Sequence, residues 1–327
     1  MKAIVHDRYG SPDVMEFRDI EMPVMTDDDV LVRVHAVSLN RGDWIVSSGS
    51  PYVLRLVFGL RRPKHPVPGR DVAGAEPGDL RPHRLHPAGD EVYAENAFGT
   101  LAEYTCVPER LLETKPANLT FEQAAAVPVA ATTALQAFRG QLRPGHEVLV
   151  NGASGGVGTF AVQIAKAAGA RVTGVCSTRN TGLIRSLGAD EVIDYTKDDF
   201  TRGERRYDVI LDLVGNHPLS ALRRTLTPTG TLLLSSGEGG RWFGPMRRIL
   251  RALAISPFVR QSLRPVSASG NHLAELKDLI EAGKITPAID RTYPLSQTAE
   301  ALRYLGVEHA RAKVVITVHA AEAGDEA

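Results

Sequence analysis

The stretch Val148-Leu149-Val150-Asn151-Gly152-Ala153-Ser154-Gly155-Gly156-Val157-Gly158 runs three β-favouring residues straight into a glycine-rich turn. Residues 159–168 follow as an apolar, alanine-rich run with helical spacing. Strand, glycine turn and helix in that order leave bare backbone N–H groups at a helix N-terminus. Partial positive charge gathers there and accepts a pyrophosphate. Gly155 and Gly156 let the backbone come close to the ligand, and Gly158 lets the helix pack tightly on the sheet. Ala153, Ser154 and Val157 complete the candidate cradle. A glycine triplet alone is a weak signal; here a strand precedes it and a helix follows, which is the context that the motif demands.

Outward from the turn, strands and helices alternate. Strands are expected at 171–176, 191–194, 207–213 and 230–235, with helices near 180–187, 196–202 and 217–225. That alternation predicts an α/β fold with a Rossmann-type, doubly wound parallel sheet, whose ligands bind at the carboxyl ends of the strands. Residues 237–265 interrupt the rhythm. A helix is expected at 245–254, with Met246, Ile249, Leu250 and Leu253 on one face and Arg247, Arg248 and Arg251 on another, packed over a cleft or at a subunit contact. Residues 266–269 are expected to add a sheet strand and 271–282 a helix.

Before about residue 120 the chain is different. Short strands at 2–6, 14–18, 30–37 and 101–107 are separated by turn residues such as Gly10-Ser11-Pro12, with no strand–helix repeat. A compact, barrel-like β domain is the reading. Thr120 is placed to cap a helix at 121–126 with Gln123 closing a capping box. Strand character returns at 289–295 and 313–318. The character of the chain therefore changes near 120 and again near 288.

The totals fit this picture. A chain of 327 residues suggests two domains. Lys+Arg and Asp+Glu both number 38, so no basic field argues for a nucleic-acid partner. Two cysteines, Cys106 and Cys176, exclude a disulfide framework and a four-cysteine zinc knot. No apolar run reaches the roughly 20 residues of a membrane span, so no membrane partner is expected. The N-terminus reads as a strand rather than a signal peptide, and a reducing, cytoplasmic setting is expected.

These residues add up to a resemblance. Ser38-Leu39-Asn40-Arg41-Gly42-Asp43, Pro68-Gly69-Arg70-Asp71-Val72-Ala73-Gly74, Gly89-Asp90-Glu91-Val92, the Ala153–Gly158 turn and Leu187-Gly188-Ala189-Asp190 resemble, in order and spacing over nearly the whole chain, the medium-chain dehydrogenase/reductase superfamily. The likeness is to its zinc-free, quinone oxidoreductase (zeta-crystallin)-like branch. It implies a GroES-like β-barrel domain, 1–120 with 288–327, interrupted by a Rossmann domain, 121–287, and a homodimer. Zinc-dependent relatives carry a cysteine near Asn40 and Gly-His-Glu where Gly69-Arg70-Asp71 stands, so no metal is expected. His83 and His86 have no partner ligand nearby. Residues 75–88 depart from the family pattern: three prolines and few β-branched residues cannot make the central strand expected there.

The second Rossmann strand ends in Ser177-Thr178-Arg179 without the Asp or Glu that would bind a ribose 2′-hydroxyl. Two hydroxyls and a guanidinium suit a 2′-phosphate, which predicts NADPH over NADH. The resemblance implies further cofactor contacts: Tyr195 at the adenine or its ribose phosphate, Thr133, Val214, Gly215, Ser235, Ser236 and Gly237 on the nicotinamide side, and Lys313 on the pyrophosphate. The expected reaction is hydride transfer to a quinone or α,β-unsaturated carbonyl, with Asn40, Asp43 and Tyr52 as catalytic candidates. Asn40 would donate to the substrate oxygen or the cofactor, and Tyr52 would donate the proton. Trp44, Tyr52, Val53, Leu54, Leu56 and Phe58 suggest an apolar substrate. A nucleotide-binding protein with little catalysis is the alternative, and a zinc alcohol dehydrogenase a distant third.

Overall fold

The computed structural model describes residues 1–77, 89–235, 246–266, 272–308 and 310–318. The expectations for His83, His86, Ser236 and Gly237 lie outside the described residues, as does most of the irregular 75–88 segment. No helix among the described residues is long and apolar enough to cross a membrane. The chain divides into two compact units, Met1–Val129 with Asn271–Glu281 and Pro287–Ala327, and Ala130–Gly270 with Ala282–Thr286.

The first unit is β-rich. Its longest strand, Asp29–Leu39, is flanked by Asp71–Ala75 on one side and by Lys313–Thr317 and Tyr104–Pro108 along the other, all antiparallel. Ile289–Pro294 extends the sheet beyond Lys313–Thr317, while Glu91–Glu95 and Leu112–Thr114 extend it beyond Asp71–Ala75. Val30, Val32 and Val34, the alternating residues of the sequence, are fully buried with Val72, Val92, Val314 and Ile316 in a single barrel-type core of the GroES-like kind. The helix Phe121–Ala125 opens as expected: Thr120 Oγ1 accepts from the Gln123 N–H, and Gln123 Oε1 accepts from the Thr120 N–H.

The helix Leu273–Glu281 also belongs to this unit, although the sequence reading grouped it with the nucleotide-binding domain. Its backbone carbonyls hold it there, since Leu273 O accepts from the Tyr93 hydroxyl at 2.8 Å and Ile280 O from Asn118 Nδ2 at 2.9 Å. Side-chain partners at that range leave no trace in a local sequence window.

The second unit is a six-stranded sheet in the spatial order Glu191–Asp194, Arg171–Cys176, Glu147–Asn151, Tyr207–Asp212, Leu226–Leu234, Ser262–Pro265. Every pairing is parallel. Numbered along the chain this is 3-2-1-4-5-6, the Rossmann order, and its direction reverses between Glu147–Asn151 and Tyr207–Asp212. Leu149, Val175, Ile210, Leu232 and Leu263 form the core beneath.

A sixth strand, Ser262–Pro265, pairs Leu263 with Leu232, and residues 267–269 of the strand expected at 266–269 lie outside the described residues. The helix near 196–202 is only a 3₁₀ turn, Phe200–Arg202. In the helix Met246–Ile255, Met246, Leu250 and Leu253 are exposed, whereas Ala252 is buried and Ile249 and Arg248 are half-buried. Hydrophobic spacing alone could not choose between the two faces, because the face that turns inward carries an arginine with a buried partner.

Candidate functional sites in the two units

In the second unit, the strand Glu147–Asn151 delivers the chain to Gly152, whose φ of +87° only glycine adopts without strain. The N–H groups of Gly152 and Ala153 are both anchored on Val175 O, at 3.2 and 3.0 Å. That ties the turn to the neighbouring strand and buries Ala153 completely. Gly155 is the N-cap of the helix Gly156–Ala167 and brings no side chain to its first N–H groups. Gly155, Gly156 and Val157 are half-buried. Gly158 lies against the turn itself: a Cβ there would come within 2.2 Å of Gly152 O. The glycine is thus required by the tight closure of the turn as well as by helix–sheet packing.

Asn180 was missed in the sequence. It is 4% exposed, and its Nδ2 donates to Ser154 Oγ at 3.1 Å and Ser177 Oγ at 3.2 Å. One amide therefore joins the glycine turn to the end of the second strand. Ser177 is half-buried, and Thr178 and Arg179 are exposed beside it. Tyr195 follows the third strand, with its N–H on Cys176 O at 3.1 Å and its side chain exposed. Thr133 is buried in the helix Pro128–Phe138.

At the reversal point, Asp212 and Asn151 stand opposite each other at the carboxyl ends of adjacent strands. Asp212 Oδ1 accepts from Asn151 Nδ2 at 2.8 Å, Gly215 N–H at 3.0 Å and Val214 N–H at 3.3 Å. Ser235 donates its N–H to Asp212 O at 3.2 Å. Val214, Gly215 and Ser235, expected as cofactor contacts, are thus all organised by one buried aspartate. A carboxylate ending the apolar run Tyr207-Asp208-Val209-Ile210-Leu211-Asp212 was a legible signal that went unread.

In the first unit, Asn40, Asp71 and Lys313 form a buried polar cluster. Lys313 Nζ donates to Asn40 Oδ1 at 2.6 Å and lies 3.2 Å from Asp71 Oδ2. Asn40 Nδ2 donates to the same Asp71 oxygen at 2.9 Å, and the Val129 N–H to Asp71 Oδ1 at 2.8 Å. The Lys313 and Asp71 side chains are 2% and 0% exposed. Lys313, expected on the pyrophosphate, is thus buried within the first unit with its ammonium on a carboxylate and an amide. Asn40, expected to donate to the substrate or the cofactor, has both ends of its amide engaged within the same unit.

Asp43 occupies the third position of the helix Arg41–Ser48, and its carboxylate accepts from the Asn40 N–H at 2.7 Å. Burial pushes its pKa up to about 6; the Asn40 N–H opposes the rise and the Asp71 charge adds to it. Tyr52 opens the 3₁₀ turn Tyr52–Leu54. The Arg55 guanidinium lies 4.7 Å from the Tyr52 ring and 4.6 Å from the Tyr9 ring, with its Nε on Gly49 O at 2.8 Å. Arg70 is paired with Glu95.

Comparisons with known proteins agree with this architecture. A family model described as zinc-binding dehydrogenase matches residues 187–316. The NADPH-dependent alkenal/one oxidoreductase of Arabidopsis thaliana chloroplasts is 34% identical over 97% of this chain and 79% of its own length. A chloroplast envelope quinone oxidoreductase homolog of the same plant is 30% identical over 97% of this chain and 98% of its own. Among solved structures, the quinone oxidoreductase from Coxiella burnetii superposes with a TM-score of 0.81 at 29% identity, covering 98% of this chain and 99% of that one.

Proposed function

The chain belongs to the medium-chain dehydrogenase/reductase superfamily, in its quinone oxidoreductase-like branch, and from that premise we propose that it is an NADPH-dependent reductase of quinones or α,β-unsaturated carbonyls. The observation that carries the reading is the glycine turn at the reversal point of a 3-2-1-4-5-6 sheet. Its uncapped helix N-terminus offers N–H groups to an external anion, and a pyrophosphate has the charge for them. Bound there, the dinucleotide would supply the hydride. The case for NADPH rests on Ser177 and the Arg179 charge beside the turn, and on the alkenal/one relative being an NADPH-dependent enzyme.

A zinc-free reaction is supported by donor chemistry. Asn40 and Arg70 stand where zinc relatives are expected to place ligands. Neither an amide already held by an ammonium nor a guanidinium paired with a carboxylate is a zinc donor. Polarising the substrate oxygen then falls to hydrogen-bond donors. Asn40 and Asp43 act as positioning groups in this reading, and Tyr52, stacked on Arg55, is the proton donor. Leu56, Val57 and Leu60, all exposed beside it, suit an apolar substrate. A homodimer through the sheet edge formed by Ser262–Pro265 belongs to the same proposal.

The test is NADPH oxidation by the purified chain across quinones, 2-enones, enoyl thioesters and simple aldehydes. Turnover with the first two classes is expected. Tight NADPH binding without turnover in any class would favour a nucleotide-binding protein with little catalysis. Full turnover in Tyr52→Phe would remove that residue as the donor.

A further inference from the structure

The sequence supplies no acidic residue at the end of the second Rossmann strand, but the fold brings one from the adjacent strand. Glu191–Asp194 runs parallel to Arg171–Cys176 with Asp194 opposite Cys176. Asp194 Oδ2 accepts from the Thr178 hydroxyl at 2.5 Å. Its Oδ1 accepts from the Thr196 hydroxyl at 2.7 Å and from the Thr196 N–H at 3.1 Å. Lys197 Nζ stands 3.6 Å from Oδ2, and the carboxylate side chain is only 11% exposed. We propose that Asp194 is a specificity-determining residue of the adenosine end of the cofactor site, which sets how strongly the chain prefers NADPH over NADH; this rests on the reductase reading above.

The reasoning is a count of protons. A threonine hydroxyl has a single proton to donate. In Thr178 and Thr196 that proton points into Asp194, so both oxygens present only lone pairs to a ligand. A 2′-phosphate is an acceptor and gains nothing from them. A ribose 2′-hydroxyl can donate, and finds an acceptor in Thr178. Beside them stand the positive charge of the Arg179 guanidinium and the Ser177 hydroxyl, whose oxygen is already an acceptor for Asn180. Lys197 is drawn towards Asp194 by its charge. The Thr178 hydroxyl, with the two Thr196 hydrogen bonds and Lys197, holds the Asp194 carboxyl down at about 2, so it carries this charge throughout the physiological range. The Thr178 hydroxyl, one of the two that suggested a phosphate site in the sequence, is therefore turned away from one, and Asp194 tempers the preference that Arg179 creates.

The experiment measures dissociation constants of NADPH and NADH by fluorescence titration of the purified chain, the Asp194→Asn variant and the Asp194→Ser variant. Serine keeps a small acceptor for Thr178 without the charge and guards against a folding defect peculiar to asparagine. Exchanging the carboxylate for a weaker, neutral acceptor lets the Thr178 hydroxyl turn to a phosphate and removes one negative charge, which is expected to raise the NADPH:NADH affinity ratio about tenfold, the scale of one charge-assisted hydrogen bond. Thr196→Val, which leaves the Asp194–Thr178 bond in place, should stay within about twofold of the parent. An unchanged or lower ratio in both Asp194 variants overturns the proposal while leaving the reductase reading intact. Failure of the parent chain to bind either dinucleotide overturns both.

Discussion

The Arg248 guanidinium stands 2.5 Å from the Asp212 carboxylate, with the two side chains 11% and 0% exposed. Asp212 Oδ2 takes no well-aligned hydrogen bond, so the contact is ionic. A second Arg248 bond, to His217 O at 3.1 Å, fixes the guanidinium. The helix Met246–Ile255 is thereby fastened to the residue that organises Val214, Gly215 and Ser235. Removing one member of a buried pair leaves an uncompensated charge, so Arg248→Ala is expected to cost roughly 3–5 kcal/mol. Adding Asp212→Asn should recover part of that loss, because the neutral amide has no charge to strand. Urea denaturation of the single and double variants checks this. A single-variant cost below about 1 kcal/mol, the range of an exposed pair, would show that the pair is solvated in solution.

Two glycines of the turn should respond differently to the same substitution. A Cβ at Gly158 would meet Gly152 O at 2.2 Å and Ala153 backbone atoms at 2.7 Å, all of them main chain that cannot step aside. Gly158→Ala is therefore expected to lower the melting temperature by several degrees, as an overpacked site costs about 1–3 kcal/mol. A Cβ at Gly155 meets only Gly152 O, at an ordinary 3.5 Å, and that residue's φ is −81°. Gly155→Ala should melt like the parent yet bind NADPH at least about tenfold more weakly, because its methyl group occupies space the ligand needs. Calorimetry with NADPH titration separates the two effects. Unchanged affinity in Gly155→Ala would place the ligand elsewhere.

What the sequence revealed and what it hid divide along a physical line. The glycine turn, the strands around it and the Thr120 capping box were legible because each is a local pattern: residue spacing, backbone permissiveness, a cap three residues from its partner. The burial of Lys313 was hidden because its partners Asn40 and Asp71 lie 273 and 242 residues away along the chain. No window contains them, and a strand lysine without visible partners resembles a surface cation. Asp194 was missed for a related reason. The acidic residue was sought at the end of the second strand, whereas parallel pairing brought one there from the third. The inward turn of Arg248 was hidden because helical periodicity reports a stripe of apolar residues and cannot see a buried carboxylate opposite a charged one.

Asp43 gives the chain a pH signature. Its pKa in the folded protein is about 6, above its ordinary value of 3.8. The folded state therefore holds the proton more tightly than the unfolded one. The stability this contributes is fully present below about pH 4 and lost as pH rises through about 6. Two pH units of displacement correspond to about 3 kcal/mol at most. Asp43→Asn keeps an oxygen for the Asn40 N–H but has nothing to ionise. Relative to the parent, the variant should gain roughly 1–2 kcal/mol on going from about pH 5 to about pH 8. Urea unfolding of both proteins at the two pH values measures the difference directly. A difference that does not change with pH would mean that the carboxylate is ionised throughout.

The cluster formed by Lys313, Asp71 and Asn40 predicts a pattern that a surface lysine could not produce. With Lys313→Met the Asp71 carboxylate keeps its bonds from Asn40 Nδ2 and the Val129 N–H, but loses the ammonium it is paired with. A destabilisation of roughly 3–5 kcal/mol is expected. Pairing the change with Asp71→Asn removes the stranded charge, and the double variant should be more stable than Lys313→Met alone. Lys313→Arg should fall between parent and Met variant, since a guanidinium keeps the charge but is too broad for a site shaped around an ammonium that makes a 2.6 Å bond to Asn40. Because Asn40 would lose the donor on its Oδ1, turnover should fall in Lys313→Met while NADPH affinity, set in the other unit, changes by less than about threefold. A large loss of NADPH affinity with little loss of stability would return Lys313 to the pyrophosphate contact that the resemblance implied.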